Sequence, residues 1–313
     1  MPLSRRSFLQ TGLSAAGSLA FAPPASFADG VQPAGCTLGF STYGMKTLKT
    51  ETAIQEISQI GFDAVEITIF PDWDSAPANL PPQRRAAIKR LIQEKELRLT
   101  SLMEHLQPSR SAKQHQRNLD RLKRAFELSA DLGNDAKPLV QTTLGGGDWR
   151  KLRSFYLDRI GIWTELANQY EVVLAVKPHR GGGMSRPSEA AWLIRQLGEP
   201  PYLKMTYDYS HYAFRDMPIE ETVAVALPYA ANVALKDVAE QDGKYAFRLA
   251  GETGNVDYPK LFQLFYAGGY RGDFCGEVSG MIWNKPDYDP RAAARQVYAR
   301  MSKALQDADV PRV

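Results

Sequence analysis

A single (β/α)8 TIM barrel, an α/β fold, is what this sequence predicts, and three observations predict it. Strand-like and helix-like stretches alternate eight times along the chain, with strand starts far enough apart for right-handed parallel crossovers. No shift in composition marks a domain boundary between the first strand and the last helix. With 313 residues, 44% of them hydrophobic, the chain has enough apolar material for one large core. Two open parallel sheets would also satisfy the alternation, but eight units in one run suit a closed barrel best.

The first strand is Leu38-Gly-Phe-Ser-Thr-Tyr-Gly44, running into a loop. Ala53, Ile54, Ile57 and Ile60 recur at helical spacing over Thr52 to Ile60, and Gly61 ends that helix. In Ala64 to Ile69 strict alternation puts Val65, Ile67 and Ile69 on one face and Glu66 and Thr68 on the other. The remaining strands are expected at Arg98 to Leu106, Pro138 to Leu144, Val172 to Lys177, Leu203 to Tyr209, Asn232 to Val238 and Asp273 to Val278. Helical periodicity covers Gln83 to Lys95, Gln116 to Leu132, Trp149 to Tyr170, Ser188 to Leu197, Ile219 to Leu227, Tyr258 to Ala267 and Pro290 to about Leu305.

Charge narrows the partners. The net charge of +3 and the lack of a basic run interleaved with aromatics speak against nucleic acid. Gly145-Gly-Gly147 lacks the Lys and Ser/Thr of a phosphate loop and the spacing of a dinucleotide fingerprint, so it reads as a turn and no nucleotide cofactor is expected. Cys36 and Cys275 have no metal-site spacing and read as buried thiols, with one bridge as the alternative in an oxidising compartment. At the N-terminus, Ser4-Arg-Arg-Ser-Phe-Leu-Gln10 resembles a twin-arginine (Tat) export motif. A weakly apolar run to Ala22 and a small-x-small pattern at Ser26-Phe-Ala28 follow it. Residues 1–28 are therefore expected to be a signal peptide read by the Tat translocon. The mature protein would be periplasmic, with no membrane span after processing.

Barrel chemistry belongs at the C-terminal ends of the strands. Three of the four histidines, His105, His179 and His211, fall there, and only His115 lies in a helix region. Glu66, Glu104, Gln141, Lys177, Asp208, Lys236, Asp237 and Glu277 stand at the same ends. Alternation places Lys177 and His179 on one face of the fifth strand, Asp208 on the face of Lys204 and Thr206, and Glu277 on the face of Asp273 and Cys275. If those faces point inward, Lys177 sits between two carboxylates at the mouth. Plainer readings stand beside these: Glu66 pairing with a loop arginine, Lys236 pairing only with Asp237, and the loop after His179 being either a lid or a long connection.

Several stretches in this order resemble the xylose isomerase-like TIM-barrel superfamily of sugar isomerases and epimerases. They are Leu38-Gly-Phe-Ser-Thr42, Gly61-Phe-Asp-Ala-Val-Glu-Ile67, Tyr207-Asp-Tyr-Ser-His211, Val233-Ala-Leu-Lys-Asp237, Gly251-Glu-Thr-Gly-Asn-Val-Asp257 and Gly269-Tyr-Arg-Gly272 leading to Glu277. The resemblance spans about residues 37–305. It implies a divalent metal (Mn, Mg or Zn) held by a Glu, an Asp, a His and a Glu on the last four strands. Asp208 and Glu277 match that set, whereas Lys177 and Ala234 stand at the other two positions.

Expected catalytic residues are thus Lys177, Glu277, His211 and Asp208, with Glu66, His105, His179 and Lys236 binding substrate. Asp208 and Glu277 would be ligands if a metal is held. Lys177 would replace the metal and steady an enolate oxygen while Glu277 or His211 takes the proton. The expected activity is isomerisation or epimerisation of a free or keto sugar. A keto-glycoside hydratase or lyase is the nearest alternative, and a non-catalytic sugar-binding barrel is the alternative of another kind.

Overall fold

A computed structural model of the chain describes residues 34–134, 136–241 and 243–313; the expected export signal lies outside the described residues. Eight parallel strands close into a barrel: β1 (Thr37–Ser41), β2 (Ala64–Thr68), β3 (Arg98–Met103), β4 (Leu139–Thr142), β5 (Leu174–Val176), β6 (Leu203–Tyr207), β7 (Ala230–Leu235) and β10 (Asp273–Gly276). The ring closes where β10 pairs with β7 on one side and β1 on the other. Between β7 and β10 stands an antiparallel hairpin, β8 (Asp237–Gln241) and β9 (Lys244–Arg248).

The long helices form where the periodicity places them: α1 (Thr50–Ile60), α2 (Pro82–Glu94), α3 (Ala112–Leu132), α4 (Trp149–Tyr170), α5 (Pro187–Gln196), α7 (Ile219–Ala226), α8 (Tyr258–Ala267) and α10 (Pro290–Asp307). Their ends have local causes. Asp148 and Asp289 accept backbone N–H groups at the starts of α4 and α10. Gly61, at φ 105°, closes α1 in the left-handed conformation that glycine tolerates best. Two short helices, α6 (Ser210–Ala213) and α9 (Gly280–Trp283), turn the chain back over the barrel mouth after β6 and β10. Among the described residues no helix is long and apolar enough to cross a membrane.

The apolar core lies between barrel and helices, with Trp163, Tyr156, Phe126, Phe262 and Phe265 fully buried there. The lumen is polar. Asp273 accepts from Thr37 (2.7 Å) and, across the barrel, from Thr100 (3.1 Å). Gly39 faces this carboxyl so closely that a Cβ would lie 2.4 Å from Asp273 Oδ2. One layer higher, Gln141 of β4 donates to Glu66 of β2. Many barrels fill these layers with branched aliphatics; here polar side chains occupy the floor and the layer above it.

Several strands are shorter than the alternation predicts, because alternation outlasts the ladder: β1 stops at Ser41 and a 3-10 turn, Thr42–Met45, follows. The hairpin is absent from the expected elements. Asn232 to Val238 reads as one strand, yet the chain leaves the barrel at Lys236 and pairs with itself, Asp237 opposite Arg248. Cys36 and Cys275 are free and buried, as the thiol reading expects.

Candidate active site

Four ionic side chains meet at the mouth, and each is the residue directly after its strand: Lys177 after β5, Asp208 after β6, Lys236 after β7 and Glu277 after β10. A position just past the ladder lets a side chain continue the inward face while its backbone is still held. Lys177 N–H donates to Thr142 O and Glu277 N–H to Leu235 O.

Lys177 Nζ lies 2.5 Å from Glu277 Oε2 and 3.6 Å from Asp208 Oδ2. Lys236 Nζ donates to Asp208 Oδ2 and, at 2.8 Å, to Glu277 Oε1. The fourth carboxylate oxygen, Asp208 Oδ1, accepts from Ser210 at 2.6 Å. None of the four side chains is more than 8% exposed. Burial alone pushes Glu277 and Asp208 upward, but Lys177 and Lys236 overcome it at Glu277, and Lys236, His211 and then Lys177 overcome it at Asp208, holding both well below the usual carboxylate range. Burial likewise opposes the charge of Lys177, and the carboxylates of Glu277 and Asp208 raise it above the ordinary lysine value. All three groups stay ionised at neutral pH.

Two imidazoles cover this cluster. His211, carried back by α6, is fully buried with Nε2 3.3 Å from Asp208 Oδ2. The His179 ring packs on it with centroids 4.0 Å apart. Burial lowers both, helped by the Lys236 ammonium, His179 to about 4 and His211 to about 3, so both are neutral near pH 7. His179 Nδ1 lies 2.7 Å from Arg180 O. Since a carbonyl can only accept, Nδ1 carries the proton and Nε2 keeps the lone pair.

The hairpin walls this side of the mouth. Phe247 of β9 lies 5.2 Å from the His211 ring and 5.3 Å from Lys236 Nζ. The Arg180 guanidinium packs on Phe214 at 4.7 Å and Phe247 at 5.5 Å, fastening the loop after His179, which runs through Gly181–Gly183, to the hairpin. Opposite stands an aromatic wall from the loops after β1, β2, β3 and β10. Tyr43 stacks on Trp73 (5.6 Å), Trp283 meets Tyr43 edge-on (5.4 Å), and His105 packs on Phe70 (4.5 Å). Burial, with Lys177 second, lowers His105 to about 3.

The geometry thus gathers Lys177, Asp208, Glu277, Lys236, His211 and His179, with Glu66 one layer below and His105 in the opposite wall. It decides two alternatives that the sequence leaves open and gives Glu104 a partner. Lys236 does not spend its charge on Asp237, whose carboxylate instead accepts from Val238 N–H (2.8 Å) and Thr253 N–H (2.9 Å) beneath the hairpin. Glu66 is held by Gln141 in place of a loop arginine. Glu104 pairs with Arg121 of α3. Sequence reasoning missed Ser210, Phe247 and the aromatic wall; the concentration of aromatics in the loops after the first, second and last strands was the available signal.

These groups do not suit a dication. Both carboxylates that match the implied ligand set are already held by ammonium groups, and a divalent ion placed among them would meet two positive charges. Among the described residues, no group of three or more His, Cys, Asp and Glu side chains is placed to hold a metal ion.

A closed eight-stranded barrel with its reactive groups at the C-terminal strand ends defines a TIM-barrel protein of the enzyme-like kind. The chain belongs to the xylose isomerase-like TIM barrel family, whose profile matches residues 54–304. Among solved structures it resembles an L-ribulose 3-epimerase (16% identity, TM-score 0.70, 88% of this chain and 96% of that one). It also resembles the 3-keto-D-glucoside 4-epimerase of E. coli (14%, 0.65, 86% and 99%). A third likeness is to a probable 3-DHS dehydratase of Bacillus anthracis (14%, 0.67, 85% and 98%). At these identities the likeness is one of fold. No protein of curated function matches the sequence.

Proposed function

We propose that the protein is an enzyme acting on a free or keto sugar, removing the proton next to its carbonyl and returning it as an isomerase or epimerase does. The observation that carries this reading is the ammonium cluster set beside neutral imidazoles. Ammonium donors facing the carbonyl oxygen make the neighbouring C–H more acidic, and a neutral imidazole has the lone pair to take its proton. The C–H electron pair becomes the C=C bond of an enediolate, and the oxygen takes the negative charge beside Lys177. Return of the proton to the other face or the neighbouring carbon completes the cycle with no net loss.

His179 suits the role of base better than Glu277 or His211. Both Glu277 oxygens are engaged by lysines, and His211 is sealed against Asp208. His179 is only half-buried and has its tautomer set by Arg180 O. The aromatic wall supplies apolar faces for a sugar ring, and Glu66 with Gln141 supplies polar depth. Elimination from a keto-glycoside shares the first step, and the likeness to a dehydratase keeps it as the second reading. The twin-arginine-like start supports an exported protein, in a setting where free sugars predominate over phosphorylated ones.

The test is proton exchange. Incubated in D2O with a panel of keto sugars and 3-keto-glycosides, the enzyme is expected to place deuterium on the carbon next to the carbonyl, and Lys177→Met to abolish it. Release of an aglycone would establish the lyase, and tight binding without exchange by any sugar would establish the binding protein.

A further inference from the structure

We infer that Lys177 and Lys236 together take the place of a divalent cation, making this a metal-independent centre whose +2 charge is built from two side chains. The metal result below stands independently of the carbonyl chemistry proposed above; only the donor role toward the oxyanion rests on it.

Charge and position lead to this together. Two ammonium groups and two carboxylates make a neutral buried set, as one dication with the same two carboxylates would. Each lysine bridges or approaches both acids: Lys236 donates to Asp208 and Glu277, and Lys177 donates to Glu277 while lying 3.6 Å from Asp208. Lys236 follows Ala234 by two residues on the same face of its strand, so its long stem reaches the axis from a strand whose earlier inward position holds only a methyl group.

The pair also retains the capacity that a metal would bring to the reaction. An ammonium has three N–H donors. Lys177 commits one to Glu277, and Lys236 commits two to the acids, leaving donors on both for a substrate oxygen. Unlike a metal, these donors cannot be lost to a chelator or exchanged.

The experiment reads metal content and melting temperature, neither of which depends on knowing the substrate. Protein purified without chelator is expected to carry far less than one Mn, Zn, Mg or Fe per chain by plasma mass spectrometry, and its Tm to be indifferent to EDTA or to millimolar Mn2+. In Lys177→Met/Lys236→Met, Asp208 and Glu277 are left without cations, and Mn2+ is expected to raise Tm by about several degrees through preferential binding to the folded form. Should that variant not fold, Lys177→Glu/Ala234→His/Lys236→Met restores a Glu, Asp, His, Glu set and is expected to bind Mn2+ at one per chain. Stoichiometric metal in the wild type, with a fall in Tm on chelation, overturns the inference. So does a folded double variant, or a folded restored variant, that ignores Mn2+.

Discussion

His179 differs from its neighbour His211 in one bond. The carbonyl of Arg180 holds its Nδ1 proton, so the nitrogen left over is always the basic one. Burial and the two ammonium groups place its pKa at about 4. Since the neutral ring is the active form, kcat/KM is expected to be flat at neutral pH and to fall as the pH drops through about 4. His179→Gln, which cannot accept the proton, should lose about 10²–10⁴ in kcat and with it this acid limb. A pH–rate profile of both proteins checks this; an unchanged limb in the variant would move the base elsewhere. Lys177 is the residue at which sequence and structure agree most closely. Alternation, once the strands are taken to close into a barrel with those faces inward, sets it between Asp208 and Glu277, because a side chain's face in a strand depends only on parity. Lys236 obeys the same parity, yet Asp237 beside it offered a simpler partner, and only the departure of β8 from the barrel takes that acid away.

At the scale of elements, the β8–β9 hairpin is what the sequence reading lacks. Its signal was present in Asp242-Gly243, a dipeptide that favours tight hairpin turns, and Gly243 does adopt a positive φ of 70°. A loop between strand and helix is the default expectation there, and it hid that signal. The hairpin matters because Phe247 covers His211 and Lys236. Burial disfavours the imidazolium form and holds His211 at about 3. Phe247→Ala admits water and is expected to raise the His211 pKa toward 6.5, followed by NMR titration of its ring protons. The eight long helices, by contrast, were legible to within a few residues, since their apolar stripes and the caps at Gly61, Asp148 and Asp289 are local features, whereas the one-turn α6 and α9 were not read.

For the whole molecule, two sets of buried acids pull stability in opposite directions with pH. Asp208 and Glu277 are depressed by their lysines, so their contribution is present above the ordinary carboxylate range and is lost on acidification below about pH 4. Asp273, on the barrel floor, is raised by burial from 3.8 to about 7. Its contribution is complete below about pH 4 and disappears as the pH rises from there through 7. Asp273→Asn keeps a neutral group against Thr37 and Thr100. It is expected to melt several degrees above the wild type at pH 8 and to lose that advantage at pH 4, as calorimetry at the two pH values would show. A fold built from eight repeated units was readable because the repetition itself is the signal. The pairing of a lysine with an acid 100 residues away was readable only once the closed barrel was assumed.

That distance has a consequence for how the chain folds. Lys177 and Glu277 are separated by 100 residues, Lys236 and Glu277 by 41, and Lys236 and Asp208 by 28. A partly folded chain holding β5, β6 and β7 side by side would carry two ammonium groups against a single carboxylate. Only the arrival of β10, the strand that also joins β7 to β1, delivers the second acid. Loop closure over such spans is slow, and until it happens water must remain in the lumen to solvate the surplus charge. In a chain that docks β10 last, sealing of the barrel and balancing of its charge would be one event, with that strand as an electrostatic latch.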